Sequence, residues 1–171
     1  MKLYLMRHAI AVPRGSPGYS KDADRPLTLE GREKLYAVAQ GLEKLELNWD
    51  LIVTSPWLRA KQTAQVMAEV FAMPNLVKET FVLTPRHTTK ELLAMIQDLP
   101  PAKSLLLVGH EPGLSMHLSN LLSGHGDCRF DFKKAGVAAL NFEETPAVGE
   151  AILEWMMAPA QMIRLGKKRK S

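Results

Sequence analysis

The 171 residues predict an α/β fold: a three-layer α/β/α sandwich around a mostly parallel sheet. Three observations predict it. Short apolar runs at 3–6, 51–54 and 104–108 stop abruptly at polar or turn residues, as buried strands do. Segments of helical spacing separate them, and strands alternating with helices imply parallel pairing. The last two strand-like stretches, 136–142 and 151–157, are joined by a short loop holding Pro146 and Gly149, which suits an antiparallel pair.

Taken in order, the first strand ends at Arg7-His8. Pro13, Gly15, Pro17 and Gly18 mark 11–26 as a loop, with Asp22, Asp24 and Arg25 at its end. A loop of that length beside a strand end suits a lid, and equally a disordered surface segment. Thr28 caps a helix over 29–44, with Leu35, Val38, Ala39, Leu42 and Leu45 on its apolar face. After the strand 51–54, Ser55-Pro56 reads as a helix start, because serine caps and proline suits the first turn. Ala60, Thr63, Ala64, Met67, Val70 and Phe71 form its apolar face, and Met73-Pro74 ends it. A third strand falls within 76–83 and breaks at Thr84-Pro85-Arg86-His87. Thr88 or Thr89 caps the next helix, stopped by Pro100-Pro101. The run at 104–108 is the most apolar, so it belongs at the centre of the sheet. It ends in Gly109-His110-Glu111-Pro112-Gly113, and a helix follows over 114–122. No internal repeat or second domain is visible; residues 1–165 read as one domain and 166–171 as a basic tail.

Composition bounds the function. A hydrophobic share of 46% is that of a folded domain. The lone Cys128 forms no internal disulfide, and a reducing cytoplasm suits it. The apolar run before Arg7, Leu3 to Met6, is only four residues, too few for a signal peptide, and no run is long enough to span a membrane. The net charge of +4 is concentrated at the end: Arg164, Lys167, Lys168, Arg169 and Lys170 lie in the last eight residues. Without them 17 basic residues face 18 acidic ones. A nearly neutral body lacks the broad basic face of a nucleic-acid binder. The expected partners exclude nucleic acid and membranes.

Polar groups recur beyond successive strand ends: Arg7 and His8, then Ser55 and Arg59, then Arg86 and His87, then Gly109 and His110. Right-handed crossovers place those ends on one edge of the sheet, where open α/β sheets bind ligands. A pocket collecting several arginines and histidines suits a phosphoryl group, whose spread charge needs fixed donors.

The same stretches carry a resemblance. Arg7-His8, Ser55-Pro56 with Arg59-Ala60 and Gln62-Thr63-Ala64, and Gly109-His110 resemble the histidine phosphatase superfamily. Arg25-Pro26-Leu27-Thr28, Leu83-Thr84-Pro85 and Gly109-His110-Glu111-Pro112 are similar to its short bacterial phosphohistidine phosphatases of the SixA type. The resemblance implies a phosphoglycerate-mutase-like fold and a metal-independent phosphatase without a cofactor. It implies that His8 is a nucleophile that becomes phosphorylated, that Arg7 and Arg59 bind phosphoryl oxygens, and that His110 donates to the phosphoryl group. Arg25, Ser55, Arg86 and His87 are the further candidates for substrate contact. The implied substrate is a histidine-phosphorylated protein, such as a phosphocarrier or phosphorelay domain. The alternatives are a small-molecule phosphomonoesterase of the same superfamily and a non-catalytic phosphate-binding module.

Two departures matter. Ala9 stands where the family has glycine, which matters only where φ must be positive. Larger members carry a glutamate proton donor in an insertion this chain lacks; Asp22, Asp24, Glu79 and Glu111 are the carboxylates left to fill that part. His117 shares a face with Leu114, Leu118 and Leu121, so it reads as a core histidine.

Overall fold

The computed structural model describes residues 1–167; the last four residues of the basic tail lie outside the described residues. Six strands form one sheet: β1 (Lys2–Arg7), β2 (Leu51–Thr54), β3 (Val77–Glu79), β4 (Ser104–Gly109), β5 (Val137–Asn141) and β6 (Ile152–Met157). Their order is β3-β2-β4-β1-β5-β6. The four strands β3, β2, β4 and β1 run parallel, while β5 is antiparallel to β1 and β6 to β5. The sheet is therefore mostly parallel, with β4 inside it as its apolarity demands.

Alternation along each strand feeds two separate cores. Tyr4, Met6, Ile52, Leu106 and Val108 point to one face, under α1 (Leu29–Glu43), α2 (Leu58–Val70) and α5 (Pro159–Gly166). Leu3, Leu5, Val53, Leu105 and Leu107 point to the other, under α3 (Thr89–Gln97) and α4 (Gly113–Ser123). Three layers result. The β1–β4 register aligns Arg7 with Gly109, and the β2–β4 register aligns Thr54 with Val108. The carboxyl ends of β1, β2 and β4 thus leave the sheet at one level.

The structure corrects the sequence reading in three places. Ser55-Pro56 does not open α2, which begins at Leu58 with Trp57 as an extended cap residue. The Ser55 hydroxyl instead accepts from the Trp57 N–H at 3.3 Å, a local serine turn that delays the helix. Strand β3 is only three residues long, because Thr80 caps a 3-10 turn over Phe81–Leu83. The segment holding Arg86 and His87 is therefore well past the strand end. Helix α5 is the element absent from the sequence reading. Pro159 sits in its first turn, and the Ala158 N–H donates to Gln161 Oε1 at 2.7 Å.

Helix α5 packs on α1 at a glycine. A Cβ on Gly41 would lie 1.8 Å from the Met162 carbonyl oxygen. In an isolated helix alanine is better than glycine by about 1 kcal/mol. Here overpacking against backbone reverses the sign, and Gly41→Ala is expected to destabilise the fold by about 1–3 kcal/mol. Urea denaturation measures this; an unchanged or higher midpoint would show that α5 does not hold this position.

Candidate active site

Strand β1 delivers His8 to the sheet edge, and backbone bonds pin it there. The His8 N–H donates to the Gly109 carbonyl at 3.0 Å, and the Ala9 N–H donates to Thr63 Oγ1 at 3.0 Å. Thr63 in turn donates to the Arg59 carbonyl at 2.7 Å. Ala9 is not in the left-handed region and is fully buried, so its methyl group is accommodated without strain.

The His8 ring has an assignable proton. Nδ1 lies 2.7 Å from the Ala9 carbonyl oxygen, which can only accept, so Nδ1 carries the hydrogen. Nε2 then holds a lone pair, and it accepts from Arg59 Nε at 3.1 Å. Burial pushes the His8 pKa down to about 3; the Ala9 bond opposes this, and the charges of Arg59, Arg7 and Lys134 add to it. A neutral imidazole with a free Nε2 pair is the nucleophilic form of histidine.

Arg59 is the second residue of α2 and is 3% exposed. Its guanidinium stacks over the Trp57 ring at 4.7 Å. Its two terminal nitrogens are both taken by residue 22: Nη1 donates to the Asp22 carbonyl at 2.6 Å and Nη2 to Asp22 Oδ2 at 3.0 Å. Arg7 donates through Nη1 to the Phe132 carbonyl at 2.7 Å, while its buried Nε has no partner.

His110 follows β4. Its ring centroid is 5.0 Å from that of His8 and 4.7 Å from that of Trp57. Nε2 is 2.9 Å from Ser55 Oγ, and the buried Nδ1 is unpaired. Burial, followed by the neighbouring His8 and Arg59, holds the His110 pKa down to about 2. Buried polar atoms are normally paired. Arg7 Nε and His110 Nδ1 are unspent hydrogen-bonding groups on residues adjoining His8.

The cluster thus brings together Arg7, His8, Ser55, Arg59 and His110. The other three candidates are placed differently. Arg25 donates through Nε to Asp22 Oδ1 at 2.9 Å and through Nη1 to the Val12 carbonyl, so it joins the rim through Asp22. Arg86 is exposed, and among the described residues no hydrogen bond or ion pair ties it to the cluster. His87 is bound 3.1 Å from Glu91, inside the capping region of α3. Sequence reasoning missed Asp22 as an arginine anchor, and Thr63 as more than a core residue. It also missed the segment 132–136, where the Ala135 N–H reaches the carbonyls of both Arg7 and His8 at 3.0 and 3.2 Å. His117 is buried, as its helical face predicts, with Nδ1 3.1 Å from Thr89 Oγ1.

Among the carboxylates left as acid candidates, Asp22 and Glu79 are committed elsewhere. Burial raises the Asp22 pKa, but the Arg14 hydrogen bond and the charges of Arg59 and Arg25 overcome it and hold the carboxyl far below the usual range. Glu79 is paired with Lys61 at 2.7 Å. Among the described residues, no carboxylate hydrogen-bonds to His8 or His110, and no group of three or more His, Cys, Asp or Glu side chains is placed to hold a metal ion. No helix among them is long and apolar enough to cross a membrane.

Comparison with known proteins agrees with this geometry. A family model described as the histidine phosphatase superfamily (branch 1) matches residues 3–82. A protein of Picosynechococcus sp. (strain ATCC 27264 / PCC 7002 / PR-6) is 38% identical over 143 residues, 82% of this chain and 84% of its own. Phosphohistidine phosphatase SixA of Escherichia coli (strain K12) is 24% identical over 164 residues, 95% of this chain and 96% of its own. The structure of the protein histidine phosphatase SixA complexed with tungstate shares the fold with a TM-score of 0.81 at 24% identity, covering 95% of this chain and 99% of that one. The same fold carries a phosphoserine phosphatase from Entamoeba histolytica, solved with 3-phosphoglyceric acid (TM-score 0.70, 18% identity, 94% and 98% covered). The protein is a phosphatase, a hydrolase acting on phosphoryl groups. It belongs to the histidine phosphatase superfamily and within it is similar to the SixA phosphohistidine phosphatases.

The buried histidines make stability pH-dependent. His8 and His110 are held to about 3 and about 2, against an ordinary histidine value of about 6.5 in the unfolded chain. Below about pH 6.5 the unfolded state binds protons that the folded state refuses, so stability falls as pH drops. The urea midpoint is expected to be lower at pH 5 than at pH 7.5, above the range where carboxylates titrate. The drop should shrink in a His8→Asn/His110→Asn double variant; an equal drop in that variant would assign it elsewhere.

Proposed function

We propose that this protein removes phosphoryl groups from phosphorylated histidine in proteins, passing them through a phosphorylated His8. The observation that carries the reading is the tautomer of His8. With the proton kept on Nδ1 by the Ala9 carbonyl, Nε2 attacks phosphorus and the P–N bond to the substrate imidazole breaks. A substrate imidazole protonated on its other nitrogen leaves as a neutral ring, so no acid is needed. The intermediate is the same species on the enzyme: Nδ1–H, Nε2–P. Water then attacks phosphorus, the P–Nε2 bond breaks, and both water protons stay on the released dihydrogen phosphate. Neutral His8 returns in its starting tautomer. Each displacement is proton-neutral, which suits a site where no carboxylate bonds to either histidine.

In this reading Arg7 and Arg59 neutralise the equatorial oxygens, and His110 Nδ1 is a further donor to developing charge. Ser55 orients His110. Arg25 acts on the phosphoryl group from the rim, behind Asp22, and Arg86 and His87 lie outside the chemistry. The relatives support the class of substrate: one is named for phosphohistidine, and its fold counterpart was solved with tungstate, a tetrahedral oxyanion. The 1–165 body forms the working domain, and no cofactor or metal enters the scheme.

One observation favours a second reading, a small-molecule phosphomonoesterase. Glu111 adjoins His110 and has a buried, unpaired Oε1. A carboxylic acid there would protonate an alkoxide leaving group, worth about 10²–10⁴-fold.

Turnover of a histidine-phosphorylated phosphocarrier, set beside aryl and alkyl phosphates, separates the two. The phosphohistidine reading expects phosphoramidates and aryl esters to react well and alkyl phosphates poorly, with the loss in kcat. A flat dependence on leaving-group pKa, lost in Glu111→Gln, would support the second reading. Rapid quench with labelled substrate should trap an acid-labile, alkali-stable label on the wild type and none on His8→Ala; label on that variant would overturn the nucleophile. Vanadate should inhibit and EDTA should leave activity unchanged, and loss of activity in EDTA restored by a divalent ion would contradict the scheme.

A further inference from the structure

Asp22 is the least expected feature of the edge. It lies in a 3-10 turn (Asp22–Asp24) of the loop 11–26. That loop is closed at its base by the Val12 N–H on the Pro26 carbonyl at 2.9 Å, and tied to α2 by the Leu27 N–H on Gln62 Oε1 at 2.7 Å. Three guanidinium groups converge on its one carboxylate. Arg14 and Arg25 share Oδ1 at 3.0 and 2.8 Å, and Arg59 takes Oδ2 at 3.0 Å. The Asp22 carbonyl takes the other end of the Arg59 fork at 2.6 Å.

We infer that Asp22 is a positioning residue for phosphoryl transfer: it anchors both terminal nitrogens of Arg59 so that Nε–H stays aimed at Nε2 of His8. The inference rests on the proposed role of His8. In the free enzyme Arg59 Nε donates to the His8 lone pair. When that pair forms the bond to phosphorus, Nε–H loses its acceptor, and the equatorial phosphoryl oxygens are the atoms next to Nε2. The same N–H therefore passes from ground state to transition state with little movement, provided the guanidinium is held from behind. Residue 22 supplies that hold. Its negative charge also lets Arg59, Arg25 and Arg14 sit side by side, which their mutual repulsion would otherwise oppose. Removing it leaves a nearly buried guanidinium without its counterion, free to turn away. A donor that strengthens only as the lone pair is consumed acts on the transition state more than on bound phosphate.

The alternative is that Asp22 imitates the phosphoryl group and obstructs Arg59, and the two readings have opposite signs. Steady-state kinetics on 4-nitrophenyl phosphate, with titrations of vanadate and inorganic phosphate, are compared for wild type, Asp22→Ala, Asp22→Asn, Arg59→Ala and the Asp22→Ala/Arg59→Ala pair. Positioning predicts that Asp22→Ala lowers kcat/KM at least about tenfold and weakens vanadate by a similar factor, with phosphate affinity changed less than about threefold. Asp22→Asn keeps an oxygen for Nη2 and falls between. The pair loses no more than Arg59→Ala alone, because Asp22 acts through that arginine. Should the alanine variant fail to fold, as a thermal melt would reveal, the asparagine variant makes the same comparison. Tighter phosphate binding with undiminished kcat, or losses that add with Arg59→Ala, would overturn the inference. None of these probes is a phosphohistidine. A wild type that handles aryl phosphate and vanadate but not a phosphohistidine protein would sink the substrate assignment and leave the Asp22 inference standing.

Discussion

The site depends on keeping His8 neutral in the midst of arginines. A buried imidazole ringed by Arg59 and Arg7 cannot hold a second proton, and the Ala9 carbonyl decides which nitrogen holds the first. Those two facts leave the Nε2 lone pair available before any substrate arrives, as the role proposed for His8 requires. They also set the electrostatic problem that the surroundings must solve. Guanidinium groups close enough to clasp a phosphoryl dianion repel one another when it is absent. Part of the answer is a carboxylate behind them, and part is a set of backbone carbonyls at Phe132, Val12 and Asp22 that accept from them. Among the described residues, Arg7 Nε is a buried guanidinium donor that stays without a partner.

The parallel register is what brings these parts together. His8, Ser55 and His110 each follow directly on a strand, and β4 lies between β1 and β2. The Ser55 N–H binds the Val108 carbonyl and the His8 N–H the Gly109 carbonyl, both at 3.0 Å. One central strand therefore indexes both neighbours. The antiparallel β5 adds a second constraint from the other side: its entry segment donates from Ala135 to Arg7 and His8, and Gly136 accepts from Arg7 at 3.1 Å. Ala135 has φ of 60° there, a conformation alanine rarely adopts, kept by a bifurcated bond to the two residues at the heart of the site.

The sequence revealed most where chemistry and secondary structure share one segment. Arg7-His8 and Gly109-His110 end apolar runs, so their place on the edge followed from strand periodicity, and the sheet order confirms it. Arg59 was legible because helix spacing put it near a strand end. Arg86-His87 misled for the same reason in reverse: β3 ends early at Glu79, since Thr80 diverts the chain into a 3-10 turn that periodicity does not register. The role of Asp22 was out of reach. Its partners stand 8 residues before it, 3 after it and 37 after it in the chain, and nothing local in a Pro- and Gly-rich loop says which arginines it will meet. Thr63 reads as an apolar-face residue until its hydroxyl is seen joining Ala9 to Arg59. Helix α5 left a faint signal, the proline at Pro159, too short a segment for its period to stand out.

The shortage of acids around His8 is a consequence of the same electrostatics. A carboxylate that meets arginine at this edge, as Asp22 does, is held ionised and has no proton to give. A site that binds phosphate through guanidinium forks therefore tends to disarm nearby acids unless one is shielded from those forks. Transfer between two imidazoles escapes the difficulty, because each ring brings its own proton on the nitrogen that does not react. In the proposed reading, phosphate binding and the preference for a P–N bond are one property of the cluster, set by how many cations share the available counter-charge.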